Sequence, residues 1–344
     1  MSADPVLTLG WLVLAHLVAD FVLQTAAIVR AKTSDGGGAW RGLLAHGMGV
    51  AVCLVPVALA FGVPGLWTLI AITVSHVAID RLKVVATRRA ETQALAEARR
   101  RHEGRAPSEG LGRAWTPLPA AWFAMDQLAH IAVLGVAWAI WLGGQPPTVE
   151  WTSAVAGLTA GRDPAVVHDV ALVAVVLASL LIANVRGGAL FVATLVRPLE
   201  LEQDGLGEAA PDDPPASTAP PPVSANRRWS FQVGLLRGSI AAEPGDAADV
   251  QPAATAAAGV APRVGVTSPA RVGATIGILE RILIVTFVLA GADAAIGLVI
   301  AAKTIARFRQ LDDRDFAEYY LLGTLASVSV AILTALVARA ALAA

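Results

Sequence analysis

Three pairs of ionisable residues share one spacing. His16 and Asp20, His76 and Asp80, and Asp126 and His130 are each four residues apart. On an α-helix, positions i and i+4 lie on one face, so each pair sets an imidazole about one turn from a carboxylate. Groups of these two types ligate divalent metals and move protons. His46 adds a fourth imidazole. A set of imidazoles and carboxylates without thiolate suits the Zn, Mn or Fe class of ion better than copper(I) or an iron–sulfur cluster. Gln24 continues the face of the first pair and Lys83 that of the second.

The elements that carry these residues are strongly apolar. The chain has 344 residues, of which 56% are hydrophobic and only 15% charged, with a mean hydropathy of +0.62. Soluble domains have roughly 25% charged residues. The excess is gathered into runs at 6–29, 43–61, 66–86, 120–142, 166–195, 276–302 and 319–342. A spanning helix needs about 20 mostly apolar residues, so the expected fold is all-α, a polytopic bundle of six to eight membrane helices. The first run has no preceding basic residue and carries His16, Asp20 and Gln24. It reads as a retained span rather than a cleaved signal peptide. Cys53, the single cysteine, forms no intrachain bridge.

Three regions are expected. Residues 1–197 form an N-terminal membrane bundle with a basic cytoplasmic helix at 87–117, a stretch that contains seven arginines. Residues 198–272 hold 11 of the 20 prolines and cannot bury a core, so they read as a disordered linker. Within that linker, residues 227–240 mix arginines with aromatic and aliphatic residues, a pattern of either an interfacial segment or plain linker. Residues 273–344 hold the C-terminal membrane helices. Positive charge after spans one, three and five places those ends and the linker in the cytoplasm. Lys303, Arg307, Arg309 and Arg314 fall outside if 276–302 is one span. They return inside if residues 291–293 turn between two short helices.

The order of the pairs then matters. Spans one and three read His before Asp, and span four, which runs the other way, reads Asp before His. The reversal sets Asp20, Asp80 and Asp126 at the cytoplasmic ends of their pairs, roughly 9–14 Å deep at 1.5 Å per residue. The histidines lie one turn further in, and His46 reaches a similar level. An aspartate near the bilayer centre costs on the order of 2.5–3.5 kcal/mol, so three of them require partners. His16, Asp20, His46, His76, Asp80, Asp126 and His130 are therefore the candidate ligands for one or two divalent ions. Asp20, Asp80 and Asp126 double as candidate bases, and Lys83 as a group that stabilises negative charge. The remaining histidines are placed elsewhere: His102 in the basic helix, exposed to solvent, and His168 with Asp163 and Asp169 in a capping role at the start of span five.

Arg81, Lys83 and Lys32 lie near the inner boundary, and Lys303 and Arg307 are four apart. They would attract an anionic lipid or phosphorylated ligand. Except for Lys83, ordinary flanking charge accounts for them. A net charge of −1 excludes nucleic acid as the natural partner. No serine-nucleophile motif, P-loop or dinucleotide fingerprint is present. The expected activity is metal-dependent hydrolysis of a lipid or phosphorylated substrate at the cytoplasmic leaflet. Proton- or divalent-metal-linked transport and a non-catalytic scaffold are the alternatives. With 3 lysines against 23 arginines and abundant Ala, Gly and Pro, the composition is that of a GC-rich bacterial genome, so the expected location is a bacterial inner membrane.

The segments HLVADFVLQ (16–24), SHVAIDRLK (75–83) and DQLAH (126–130) resemble a bacterial multi-pass membrane family, domain of unknown function 3307. GILER (277–281), AAKTIARF (301–308) and EYYLLGTLASV (318–328) resemble it too. The resemblance implies a multi-pass fold and no activity. A looser similarity, in the His/Asp pattern alone, links the chain to membrane-bound metal-dependent hydrolases.

Overall fold

The structure, a computed structural model, describes residues 4–34, 37–102, 117–196, 228–233, 236–241 and 269–344. Helix α1, Pro5–Val18, starts at Asp4, whose Oδ1 accepts from the Val6 and Leu7 amides. It passes into a π-helical turn, Ala19–Leu23, that carries Asp20. The chain then breaks at Gln24, which is extended, and restarts at the Thr25 cap as α2, Ala26–Lys32. The run 6–29 is thus not one helix, which corrects the expectation. Its last residues belong to a short helix turned back against α3, Gly37–Phe61.

Helix α4, Val63–His102, carries the run 66–86 and continues without a break into the arginine-rich stretch. The expected basic helix is therefore present up to His102. The rest of that segment and the His102 side chain lie outside the described residues. Helix α5, Leu118–Ala137, ends in a π turn, Trp138–Leu142. Helix α6, Val149–Leu158, was not foreseen in the loop; Thr148, its cap, donates its amide to the Ala60 carbonyl at the end of α3. Helix α7, Pro164–Ile182, is capped by Asp163 and continues through a π turn, Ala183–Gly187, into α8, Gly188–Val196. His168 bonds Asp4 Oδ2 at 2.6 Å, which ties the start of α7 to the start of α1.

The C-terminal part comprises α9, Pro269–Leu289, α10, Ala294–Arg307, and α11, Arg314–Ala343. The turn between α9 and α10 centres on Gly291, whose φ of 70° favours glycine. The run 276–302 is therefore divided, and α10, with 14 residues, is about 21 Å long, short of the roughly 30 Å hydrocarbon thickness.

Among the described residues five helices are long and apolar enough to cross a membrane: Pro5–Leu23, Gly37–Phe61, Leu118–Leu142, Pro164–Val196 and Phe316–Ala343. That is fewer than the six to eight expected. Helix α4 is not among the five, although its first half is apolar, and the turn at Gly291 divides another run. Burial fits a lipid surround. Leucines and valines such as Leu44, Val52, Leu82, Leu128 and Leu181 face outward, while His76, Asp80 and Asp126 are buried. This inverts the distribution expected in water.

Residues 202–266 form a separate unit. Within it Arg228–Val233 pairs antiparallel with Leu236–Ala241, a pairing inside the stretch read as linker, while the membrane bundle is all-α as expected. Residues 269–272, expected in the linker, open α9 instead, and the rest of the expected linker falls outside the described residues.

Candidate metal centre

The seven candidate ligands converge. Helices α1, α3, α4 and α5 each turn one polar stripe inward, and all seven side chains are almost wholly buried. The stripes are stacked in layers. Leu12, Val50, Leu54, Ile72 and Leu134 form one apolar cluster. One turn along from it come His16, His46, His76 and His130. The carboxylates of Asp20, Asp80 and Asp126 follow, and beyond them the ammonium groups of Lys32 and Lys83. The four imidazoles lie against one another, with ring centroids 4.1 Å apart for His76 and His130 and 4.8 Å for His16 and His130.

The tightest grouping is a triangle. Asp20 Oδ1 lies 3.3 Å from His46 Nε2 and 3.1 Å from His76 Nε2, and the two nitrogens are 2.9 Å apart. Ligands about 2.1 Å from one ion, at angles between those of octahedral and tetrahedral sites, lie roughly 3.0–3.4 Å from each other. The triangle has about that size. Asp80 Oδ2 extends it, 3.4 Å from His46 Nε2. Two further triads overlap it, His16 with His76 and His130, and Asp80 with Asp126 and His130. The π turn at Ala19–Leu23 belongs to this geometry, since such single-turn bulges re-aim side chains at functional sites.

The cluster is under-satisfied as a hydrogen-bonded network. Among the described residues nine buried side-chain polar atoms lack a hydrogen bond, and four are here: Asp20 Oδ1, Asp126 Oδ1 and both ring nitrogens of His130. Buried polar atoms are nearly always partnered, so these four mark a place for a further group. Asp20 Oδ1 is crowded by nitrogens of His16, His46 and His76 within 3.8 Å, yet none is aligned to donate to it. Lone pairs directed at one cation would produce that arrangement.

Two lysines set the charge. Lys32 Nζ donates to Asp80 Oδ2 at 2.8 Å, and Lys83 Nζ to Asp126 Oδ2 at 2.7 Å. Three carboxylates against two ammonium groups leave one net negative charge while the imidazoles are neutral. Flanking charge does not account for Lys32, which is buried, and the broken helix explains how it gets there. Gly42 lets α2 lie directly on α3; a Cβ at that position would overlap the Lys32 backbone nitrogen and approach the Ala31 carbonyl carbon at 2.8 Å. We expect Gly42→Ala to lower stability by about 1–3 kcal/mol through overpacking. Thermal unfolding in detergent checks this, and an unchanged midpoint would contradict it.

Other candidates lie elsewhere. Arg81 stacks over the Trp40 ring, 5.8 Å from its centre, and Lys303 pairs with Glu280. Arg307 donates to Gln310 Oε1. Two site residues had no assigned role in the sequence reading. Gln127 is 3.3 Å from His16 Nε2 and donates to Asp20 Oδ2 at 3.3 Å and Asp126 Oδ2 at 3.1 Å. It follows Asp126 directly, off the i, i+4 stripe, so periodicity does not single it out. Gln24 reaches His46 Nε2 at 3.2 Å, and its place on the first face was a usable signal.

Residues 8–158 match the family model DUF3307, described as a protein of unknown function. The matched stretch contains the entire cluster. The C-terminal motifs that carried part of the sequence resemblance lie beyond it, and nothing in the match bears on metal-dependent hydrolases. No curated protein and no solved structure matches the chain.

Proposed function

We propose that the chain is a metal-dependent membrane hydrolase acting on a phosphorylated lipid or small molecule at the cytoplasmic leaflet. The observation that carries this reading is the buried triangle of Asp20 Oδ1, His46 Nε2 and His76 Nε2, with edges of 2.9–3.3 Å and an oxygen that no hydrogen bond satisfies. A bound divalent ion of the Zn, Mn or Fe class would lower the pKa of a water and polarise the scissile group.

The rest falls to the protein. Asp126, whose Oδ1 is free, takes a proton from the attacking water, and His130 beside it holds the proton in turn. Lys32 and Lys83 transfer their charge from Asp80 and Asp126 to the substrate phosphate as it enters. Gln127 fixes Asp20 and Asp126 relative to each other. Charge favours one ion over two. A single dication turns the net charge of the cluster from −1 to +1, which one phosphate then balances. Two dications would need further anions in a low-dielectric site.

In this reading the N-terminal half of α4 is a further span. The lysines, the arginine-rich end of α4 and the stretch 198–272 face the cytoplasm of a bacterial inner membrane, following the positive-inside rule. Transport is the weaker reading. It requires a polar route on both sides of the cluster, and the apolar layer of Leu12, Val50, Leu54, Ile72 and Leu134 stands across one of them.

Phosphate release tests the proposal. Purified protein in lipid vesicles should release phosphate from a phosphatidic acid or isoprenyl phosphate pool. Chelation should abolish release, a divalent metal should restore it, and Asp126→Asn should lower kcat by about 10²–10⁴. Release that survives chelation, or is unchanged in Asp126→Asn, refutes the assignment.

A further inference from the structure

A second group of buried polar atoms lies in the C-terminal half. Arg281, midway along α9, is 2% exposed. Its Nε donates to the Asn184 carbonyl at 2.7 Å, and its Nη1 to Ser327 Oγ at 3.0 Å. Its Nη2 is buried and has no partner. Among the described residues no carboxylate pairs with Arg281, and the adjacent Glu280 is held by Lys303 at 2.7 Å. An ionisable residue in a membrane bundle marks a functional site by default, and here one guanidinium nitrogen is left unpartnered.

The surroundings close tightly on the guanidinium and leave several polar atoms near it unpaired. Gly188 on α8 leaves room for it: a Cβ there would lie 3.1 Å from Arg281 Nε and 3.2 Å from its Cδ. On α9 itself Gly277 is equally small, with a Cβ position 3.6 Å from Nη1. Thr324 is one turn from Ser327 on the same face of α11, and its hydroxyl is also buried without a partner. Asn184 spends its amide on the Leu180 carbonyl and Thr334 Oγ1, while its own Oδ1 is unsatisfied. Three of the nine orphaned atoms thus gather on Arg281, Asn184 and Thr324.

We propose that Arg281, Thr324 and Ser327 form a phosphate-binding site, separate from the His/Asp cluster, that takes a lipid phosphate or a free phosphate ion. The guanidinium fork matches phosphate oxygens in geometry and charge. The two hydroxyls supply further donors, and Asn184 Oδ1 can accept from the P–OH of a free phosphate ion or from a headgroup hydroxyl of a lipid, neither of which chloride offers.

Binding to the folded state raises the unfolding midpoint, so thermal unfolding of the full chain reads the site. The protein is purified in a non-ionic detergent and titrated with inorganic phosphate, dioleoyl phosphatidylglycerol or dioleoyl phosphatidylcholine. A saturable rise with phosphatidylglycerol alone assigns the site to lipid, and a rise with inorganic phosphate as well assigns it to the free anion. Either rise should weaken by about tenfold in apparent affinity in Thr324→Val, the loss of one hydrogen bond to a charged group. Arg281→Gln should abolish it. Arg281→Lys keeps the buried charge if the glutamine variant does not fold, and should also bind more weakly. No rise beyond that with phosphatidylcholine, or equal rises in wild type, Thr324→Val and Arg281→Lys, overturns the proposal. Metal content should be the same in all of these chains, so the result is independent of the hydrolase reading.

Discussion

Full-length protein exchanged into metal-free buffer should retain about one equivalent of a divalent transition metal, and the His46→Ala/His76→Ala chain should retain none. The two imidazoles supply two corners of the triangle, with nitrogens 2.9 Å apart. Their removal leaves Asp20 without a second ligand at coordination distance on that side. Structural sites of this kind use three or four ligands, so the loss should be complete rather than graded. Gln24→Leu is a control of another kind: Gln24 lies 3.2 Å from His46 Nε2, the nitrogen that would ligate, so it must give way to an ion and its loss should leave metal content intact. His168→Ala, which breaks the bond to Asp4 away from the cluster, should leave metal content unchanged. Elemental analysis of the four chains decides. Wild-type protein without metal, or a double variant that keeps it, would sink the metal assignment.

The second large effect concerns stability. Asp80→Leu should destabilise the chain by about 3–5 kcal/mol, because it strands the Lys32 ammonium in a site from which water is excluded. Lys32 and Asp80 are both almost wholly buried, and their contact is 2.8 Å. Lys32→Met should cost about as much, by stranding the carboxylate. Combining the two should recover most of the loss, since replacing both members of a buried pair by apolar groups is often neutral. Denaturant unfolding of the four chains gives the coupling directly. Additive losses in the double variant would mean that Lys32 and Asp80 do not depend on each other. The more exposed pair, Lys83 with Asp126, should show a smaller coupling.

Much of the cluster was legible before any coordinates. The i, i+4 spacing of three His/Asp pairs and their reversed order in the fourth span are properties of single helices. Helix rise converts residue number to depth, so the sequence places all seven groups at one level. The structure brings them together in one buried cluster. The apolar runs likewise announced the helices: 120–142 and 166–195 match the spans Leu118–Leu142 and Pro164–Val196 to within two residues, while Gly37–Phe61 begins six residues before the run 43–61. Breaks inside runs were less visible. Gln24 and Thr25 divide the first run with no proline or glycine to signal it, while Gly291 did signal the turn that ends α9. The hairpin at Arg228–Val233 and Leu236–Ala241 rests on pairing within a proline-rich stretch whose composition points the other way.

What the linear pattern lacks is the rotation of each helix about its axis and the identity of its neighbour. Periodicity says that Lys83 shares a face with Asp80; the assembled bundle pairs it with Asp126 on another helix. Lys32 looked like a flanking charge, because nothing local says that α2 folds back over Gly42 and pushes that side chain under Asp80. Arg281 read as one letter of a motif, and its burial with an unpartnered Nη2 emerges only when three other helices close around it. Depth is a local quantity, counted along one helix, whereas partnership is a distance between helices that no single stretch of chain encodes.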